Sequence, residues 1–600
     1  MVKLSDYVVQ FLVDKGIKDI FMVSGGGIMH LVDSVGKNPS MNYYCNYHEQ
    51  SSAIAAEAYA RVRNHVGACL VTTGPGSTNA LSGMVGAWAD SIPIIVISGQ
   101  VRRDLIADYK KIRQLGPQEI NIIDMVRPVT KYAVTVMDPE QIRYELEYAY
   151  TQATTGRPGP VWINIPLDVQ AAMVEEDLLT GYDAGIDKSD RSINSSINKV
   201  VELLQHASRP VLICGNGIHL ARAEDLLDEF IQMAHIPVLL TIGGMDLLDE
   251  NNQFNMGRFG PFGQRRSNFA LQNADLLISL GASMSMASTG FNISGFAPKA
   301  KKVMVDIDPG ELTKPTYIAD IAIACDAKKF LMEILSKLVT VHLHERQEWE
   351  EACKNWKKKY PICVPDYYTD PDFVNTYAFA DILSDLLTPE DVVITGNSLD
   401  ICSVFQTFRV KKGQRVVTNS NYGAMGWDLP GAIGACVGRG NRMTVLVTGD
   451  GSFQFNVHEL LTIGVNHLDV KIFIVNNQGY DSIRATQNNY FNKHYVGSDL
   501  SSGVGNPDFA MLASTYGLLY ENILNNDQVR DKAAKLLKLE GPILCELNVS
   551  REQGRSPKAS SYRKEDGTLE SRPLEDMFPF LPRGEIWENM HLFDDEKPNK

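Results

Sequence analysis

The stretch Leu446–Phe453 reads LVTGDGSF, and it closes the apolar, β-branched run MTVLV (Met443–Val447). Such a run is what a strand covered on both faces requires. An aspartate pinned between two glycines at its end is either a turn cap or a ligand, and the next residues decide. NVHELLTIGVNH (Asn456–His467) has helical spacing and leads to a second buried strand, VKIFIVNNQG (Val470–Gly479). Together they make one βαβ unit, so the two strands run parallel and end on the same edge of a sheet. Asp450 follows the first strand and Asn477 the second, 27 positions on. Open α/β sheets bind ligands at that carboxyl edge.

The same rhythm recurs along the chain. DIFMVSGGG (19–27), GACLVTTGPG (67–76) and IPIIVISGQ (92–100) are early strands; RPVLICGNG (209–217) and ADLLISLGA (274–282) lie in the middle; DVVITGN (391–397) comes late. Strands alternating with helical patterns predict an α/β protein of parallel sheets with helices on both faces. Six hundred residues are too many for one core. Breaks in composition divide them into doubly wound domains at 1–185, 186–345 and 373–550, a charged, proline-bearing linker at 346–372, and an arm at 551–600. The arm is rich in Arg, Ser and Pro, but its interleaved Phe, Leu and Trp predict docking on the body, where it could serve as a lid.

The totals exclude several classes. A net charge of −15 argues against a nucleic-acid surface, which needs clustered Lys and Arg. No apolar run is long enough to span a bilayer. The nine scattered cysteines, with no CxxC pair, fit a reducing compartment, and MVKLSDYVVQ enters an amphipathic helix without a signal peptide. The expectation is a cytoplasmic enzyme with small-molecule substrates.

An Asp450 carboxylate, an Asn477 amide carbonyl and a backbone carbonyl near Gly479 form a hard, all-oxygen, partly open set. That set suits Mg²⁺, which keeps further positions for water and phosphate oxygens. Gly449 and Gly451, with Ser452 after them, let the backbone approach phosphates. GDG alone is usually a turn. At this spacing and in this topology, the pair resembles the binding motif of thiamine diphosphate enzymes.

The resemblance extends over residues 1–550 in the order pyrimidine-binding, central and diphosphate-binding domain, and is strongest to the acetolactate synthase group. It is carried by MNYYCNYHEQSSAIAAEAYAR (Met41–Arg61), GPGSTNALSG (Gly74–Gly83), RPGPVWINIPLDV (Arg157–Val169), VMVDIDPGEL (Val303–Leu312) and NYGAMGWDLPGAIGA (Asn421–Ala435). It implies that Glu49 holds the cofactor's N1′ with a pKa raised by burial, acting in the site of a partner subunit. Met425 would be the wedge under the cofactor, and the Gly423 carbonyl would accept from its 4′-amino group. Pro75 and Asn79 would border the pyrimidine, and Gly396, Asn397 and Ser398 the diphosphate. The chain should then be a homodimer or homotetramer with shared active sites. His30 and His48 flank the expected cofactor face as candidate proton shuttles, although a structural histidine is as good a reading of each.

Three positions depart from acetolactate synthases. Ser283, in GASMSMASTG (Gly281–Gly290), replaces the arginine that grips the acceptor's carboxylate. Thr486 replaces a tryptophan. Pro117 replaces the aromatic of an AFQE motif, while Gln118 is kept. A buried carboxylate without a cationic partner costs several kcal/mol, so the expected acceptor is an uncharged or larger carbonyl compound. VSGGGIMHL (Val23–Leu31) also resembles carboligases acting on nucleotide-linked keto-sugars. The resemblance further allows FAD in the central domain, carried by RPVLICGNGIHLA (Arg209–Ala221), FNMGRFGPFG (Phe254–Gly263), Asp306 and Asp326; a purely structural central domain is the alternative. The leading expectation is a carboligase using a 2-oxo acid donor such as pyruvate. Acetolactate synthase proper, a simple 2-oxo acid decarboxylase, pyruvate oxidase chemistry and a non-catalytic regulatory paralogue are the alternatives.

Overall fold

The computed structural model describes residues 1–183, 185 and 193–593. The expected domain boundary after residue 185 meets residues outside the described ones, as do residues 594–600 of the arm.

Three six-stranded sheets carry the fold, and every pairing within them is parallel. The first runs Asn42–Cys45, Asp19–Met22, Gly67–Val71, Ile94–Gln100, Val161–Pro166, Tyr132–Thr135 across the sheet. The third runs Arg415–Val417, Val392–Thr395, Thr444–Gly449, Val470–Asn476, Ile543–Asn548, Leu519–Ile523. These two share one strand order, 2-1-3-4-6-5 counted within each domain. The middle sheet differs: Asn255–Arg258, Val238–Leu240, Pro210–Cys214, Leu276–Leu280, Lys301–Asp306, Ile321–Ala324, or 3-2-1-4-5-6. In each, the order reverses beside the first strand, which opens a crevice at the carboxyl edge there. In the third sheet the strands flanking that crevice are Val392–Thr395 and Thr444–Gly449, so the GNS and GDG loops emerge side by side.

Burial follows the apolar runs of the sequence. Pro210–Cys214, Leu276–Leu280 and Gly67–Val71 are buried at every position, as β-branched runs sandwiched between helix layers must be.

The first and third domains pack through two small-residue helices, Glu49–Arg63 and Asp428–Gly438. A Cβ on Gly434 would stand 2.0 Å from the Ala55 carbonyl oxygen, so glycine is what allows the two backbones to meet. Between them Glu57, fully buried, accepts from Arg61, from Asn419 Nδ2 at 3.1 Å and from Trp427 Nε1 at 2.8 Å. One hydrophobic core therefore spans both domains, from Phe21 and Ala56 to Ile433 and Ile472.

The linker contains the helix Gln347–Lys359, which buries Trp349 and Trp356 against the central domain. The arm docks there too. Asn589 accepts from Trp356 Nε1 at 2.9 Å, its carbonyl accepts from Asn273 at 3.1 Å, and Leu574 and Met577 are buried. Among the described residues, most of the arm thus lies on the central domain, while Arg551 and Arg555 reach the carboxyl edge of the third sheet.

Candidate active site

Asp450 sits at the end of Thr444–Gly449, buried, with both oxygens engaged. Oδ1 accepts from Gly451 N at 2.8 Å, and Oδ2 from Gly479 N at 2.8 Å and Asn506 Nδ2 at 2.6 Å. Burial pushes its pKa up, against the pull of these donors. Asn477 is buried beside it. Arg484 ties down the intervening loop by donating to the carbonyls of Asn477 at 2.9 Å and Gln478 at 3.0 Å. Gly479 has φ +124°, and a Cβ there would stand 2.4 Å from the Ser498 carbonyl oxygen. No other residue fits this turn.

Across the crevice, Asn397 Nδ2 donates to the Ala424 carbonyl at 2.8 Å, leaving Asn397 Oδ1 buried without a partner. Ser398 Oγ lies 3.0 Å from Ser482 Oγ. Space is open where a Cβ on Gly449 would point. Gly451 is glycine for another reason: a Cβ would stand 2.4 Å from the Tyr480 ring, and 3.7 Å from Met425 Cε. Met425 therefore reaches over this loop, half-buried, while Gly423 is exposed with φ +69°. Ser452 Oγ accepts from Gly426 N at 2.9 Å, joining the GDGSF and GAMG segments.

Gly396 is pressed between two buried acids. A Cβ on it would meet Asp400 Oδ2 at 2.2 Å and Asp428 Oδ2 at 2.9 Å. Burial, with Asp428 close by, pushes Asp400 up to about 7. Asp428 is raised as well, though hydrogen bonds from Thr448 and Ser452 oppose the shift.

Glu49 opens its helix, half-buried, and accepts from Asn79 Nδ2 at 3.0 Å. Gly76 lies against its carboxylate, 3.2 Å from Oε1 to a Cβ placed there, and Pro75 begins that second helix. His48 caps the Glu49 helix, its Nδ1 accepting from Gln50 N at 3.1 Å, with its ring centroid 6.1 Å from that of His458. Among the described residues, no hydrogen bond joins Glu49 to the Asp450 cluster. His30 is half-buried on Met29–Lys37, and burial, with Lys3 adding to it, draws its pKa down. Gln118 is exposed with φ +66°, its carbonyl packed against Gly74, and Pro117 beside it is exposed too.

Profiles of three consecutive domains match this chain: the thiamine pyrophosphate enzyme N-terminal TPP binding domain at residues 2–125, the central domain at 197–334, and the C-terminal TPP binding domain at 401–547. The chain belongs to the thiamine pyrophosphate enzyme family. Its relatives within that family include an acetolactate synthase large subunit of Cyanidium caldarium, 33% identical over 92% of this chain and 93% of the relative. Others are the acetolactate synthase isozyme 2 large subunit of Escherichia coli, 30% identical over 91% and 95%, and a probable acetolactate synthase large subunit of Methanocaldococcus jannaschii, 30% identical over 91% and 92%.

The site fits the family's cofactor on its own chemistry. Among the described residues there is no group of three His, Cys, Asp or Glu side chains that could hold a metal. A cation at Asp450 would draw on neutral oxygens for its other contacts, which is a magnesium-like environment. The open space at Gly449 and the Ser398 and Ser482 hydroxyls lie on the same edge.

A cavity of about 290 Å³ lies at the carboxyl edge of the central sheet, where the first and third domains close over it. Gly215, Gly217, Ser283, Asp306 and Asp326 line it, and burial pushes Asp306 up to about 6. FNMGRFGPFG does not line it. Buried Arg258 donates to the Phe405 carbonyl at 3.2 Å, and the Pro261 carbonyl accepts from Ala559 N at 2.6 Å, so this segment is spent on the third domain and the arm. Three groups around Asp450 and the helix after Gly479 had no signal in the sequence pattern: Asn506, Arg484 and Arg555. The first lies in an irregular stretch 56 positions from Asp450.

Proposed function

We propose that this protein is a thiamine diphosphate-dependent carboligase of the acetolactate synthase type, which removes CO₂ from a 2-oxo acid and joins the acyl unit to a second carbonyl compound. The observation that carries this is the buried Asp450, held by Gly479 and Asn506 beside Asn477 at the crevice of a family-matched domain. When bound, the cofactor supplies a nucleophilic carbon and an electron sink for decarboxylation. Asp450, Asn477 and the Gly479 carbonyl would hold Mg²⁺. Asn397, Ser398 and the Gly449 backbone would meet the diphosphate, and Met425 would support the rings. Glu49 would hold and return a proton at N1′. As the resemblance implies, Glu49 would serve the site of a second copy of the chain, in a homodimer or larger homo-oligomer.

Acetolactate formation from two molecules of pyruvate is the reading nearest the relatives' names. A second reading rests on Ser283 and Thr486. Ser283 offers no charge to an acceptor carboxylate, and exposed Thr486 spends its hydroxyl on the Ser482 carbonyl at 3.1 Å. Both favour an uncharged or larger carbonyl acceptor. FAD in the central cavity is supported by Asp306, Asp326 and the Gly215–Gly217 turn, and opposed by the displacement of FNMGRFGPFG. Flavin release on denaturing the purified protein decides that point.

The deciding experiment follows ¹³C-pyruvate by NMR with thiamine diphosphate and Mg²⁺, alone and with neutral ketones. Label on an added ketone supports the second reading, acetolactate as main product supports the first, and acetaldehyde alone would leave a simple decarboxylase. Pyruvate untouched in every tube removes pyruvate as donor.

A further inference from the structure

Arg555 stands where the C-terminal arm begins, yet its side chain points back into the crevice. Nη2 donates to Asp481 Oδ2 at 2.7 Å and Ser482 Oγ at 2.5 Å, and lies 3.4 Å from Ser398 Oγ. The side chain is 18% exposed, and the guanidinium carbon lies 5.9 Å from the Phe262 ring centroid. Its Nε–H is buried without a partner among the described residues. A guanidinium presents five donors in a fixed fork, and this one has its Nε–H still to spend. Asp481 balances its single positive charge through one nitrogen, Nη2, and leaves the Nε edge of the fork to hydrogen-bond elsewhere.

The surroundings say what the idle face would meet. Ser398 ends the GNS loop and precedes the helix Leu399–Thr407; Ser482 lies in the first turn of Asp481–Tyr490, directly after the metal loop. Two hydroxyls 3.0 Å apart, two helix starts and one arginine converge here. Arginine is the side chain whose planar fork matches the oxygens of a phosphate group. Arg551 anchors the same segment by pairing with Asp499 at 2.6 Å, so the arm's start is fixed rather than free to swing.

We propose that Arg555 is a cofactor-binding residue, contacting the terminal phosphate of thiamine diphosphate and fastening the start of the arm to the loaded site. This rests on the cofactor assignment above and adds to it a contact from outside the three matched domains. A purely structural ion pair with Asp481 is the competing account.

Calorimetric titration of the full chain in Mg²⁺ separates the two, using thiamine diphosphate and thiamine monophosphate as ligands. A charge-assisted contact to the terminal phosphate predicts that R555Q weakens diphosphate binding at least about tenfold. Monophosphate binding should change less than about twofold, and R555K, which keeps the charge but not the fork, should recover only part of the affinity. Diphosphate affinity unchanged in R555Q, or equal losses for both ligands, overturns the contact. A lower unfolding temperature of cofactor-free R555Q together with equal losses assigns Arg555 to the ion pair alone. If the parent protein binds no thiamine diphosphate, the cofactor assignment itself fails, and this contact with it.

Discussion

Gly479 donates its backbone N–H to Asp450 Oδ2 at 2.8 Å, across 29 positions of sequence and between two adjacent parallel strands. The bond fixes the angle at which the carboxylate faces the crevice, and it depends on a backbone conformation only glycine adopts there. Two variants follow. Asp450→Asn removes the anionic oxygen, and Gly479→Ala forces a methyl to within 2.4 Å of the Ser498 carbonyl. Each should abolish the Mg²⁺-dependent rise in unfolding temperature that thiamine diphosphate gives the parent. At a hundredfold excess over the dissociation constant, that rise corresponds to about 2.7 kcal/mol. Differential scanning fluorimetry checks it, and a full shift retained in Asp450→Asn would remove the metal role from this residue.

Gly434 faces the Ala55 carbonyl from 2.0 Å, measured from an added Cβ. Because the obstacle is backbone, no side chain can turn away to make room. Gly434→Ala should destabilise the protein by about 1–3 kcal/mol through overpacking. It should do so without touching any proposed cofactor contact. Urea unfolding measures the first part, and thiamine diphosphate titration of the still-folded variant the second.

What was legible in the sequence and what was not divide along one physical line. Thr444–Gly449 and Val470–Asn476 announce themselves because a strand buried on both faces has to be apolar throughout, and the residues after such strands are placed by topology. Asp450 and Asn477 could therefore be placed at the carboxyl edge from spacing and topology, whereas the GNS loop was read from the family resemblance. Asn506 and Arg555 could not, because they reach the site from irregular segments whose course is set by tertiary contacts. FNMGRFGPFG makes tertiary contacts that its pattern did not announce. Its glycine pattern suits a ligand loop, but Arg258 and Gln264 spend their side chains on the Phe405 and Gln406 carbonyls, and the segment follows them to the third domain. The close approach of Glu49–Arg63 to Asp428–Gly438 was half legible, since an alanine-rich helix must pack tightly, though its partner could not be read.

Asp400 and Asp428 press on Gly396 from within the protein, and Asp400 carries a pKa of about 7 against an ordinary 3.8. The folded state therefore holds a proton that the unfolded chain releases. Stability from this group is complete below about pH 3.8 and is lost as the pH rises through about 7. Between pH 5 and 8 the cofactor-free parent should lose stability to urea, and Asp400→Asn, neutral at every pH, should lose less. Parallel curves for the two proteins would place the proton elsewhere.

Glu49 differs from Asp450 in what its loss should cost. Its carboxylate rests on Asn79 and beside Gly76, away from the metal loop, so it contributes little to holding the diphosphate end. Glu49→Gln keeps the shape and the Asn79 contact but cannot carry a proton. Proton transfer by a positioned side chain contributes about 10²–10⁴-fold to rate. The variant should therefore retain Mg²⁺-dependent thiamine diphosphate affinity within a few-fold while pyruvate consumption falls by about that factor. Mixing it with an Asp450→Asn variant offers a sharper check. If each site takes Glu49 from one copy and Asp450 from the other, mixed dimers rebuild one intact site, and activity returns to a fraction of the parent's. Two inactive proteins that stay inactive after subunit exchange would place both residues in the site of a single chain.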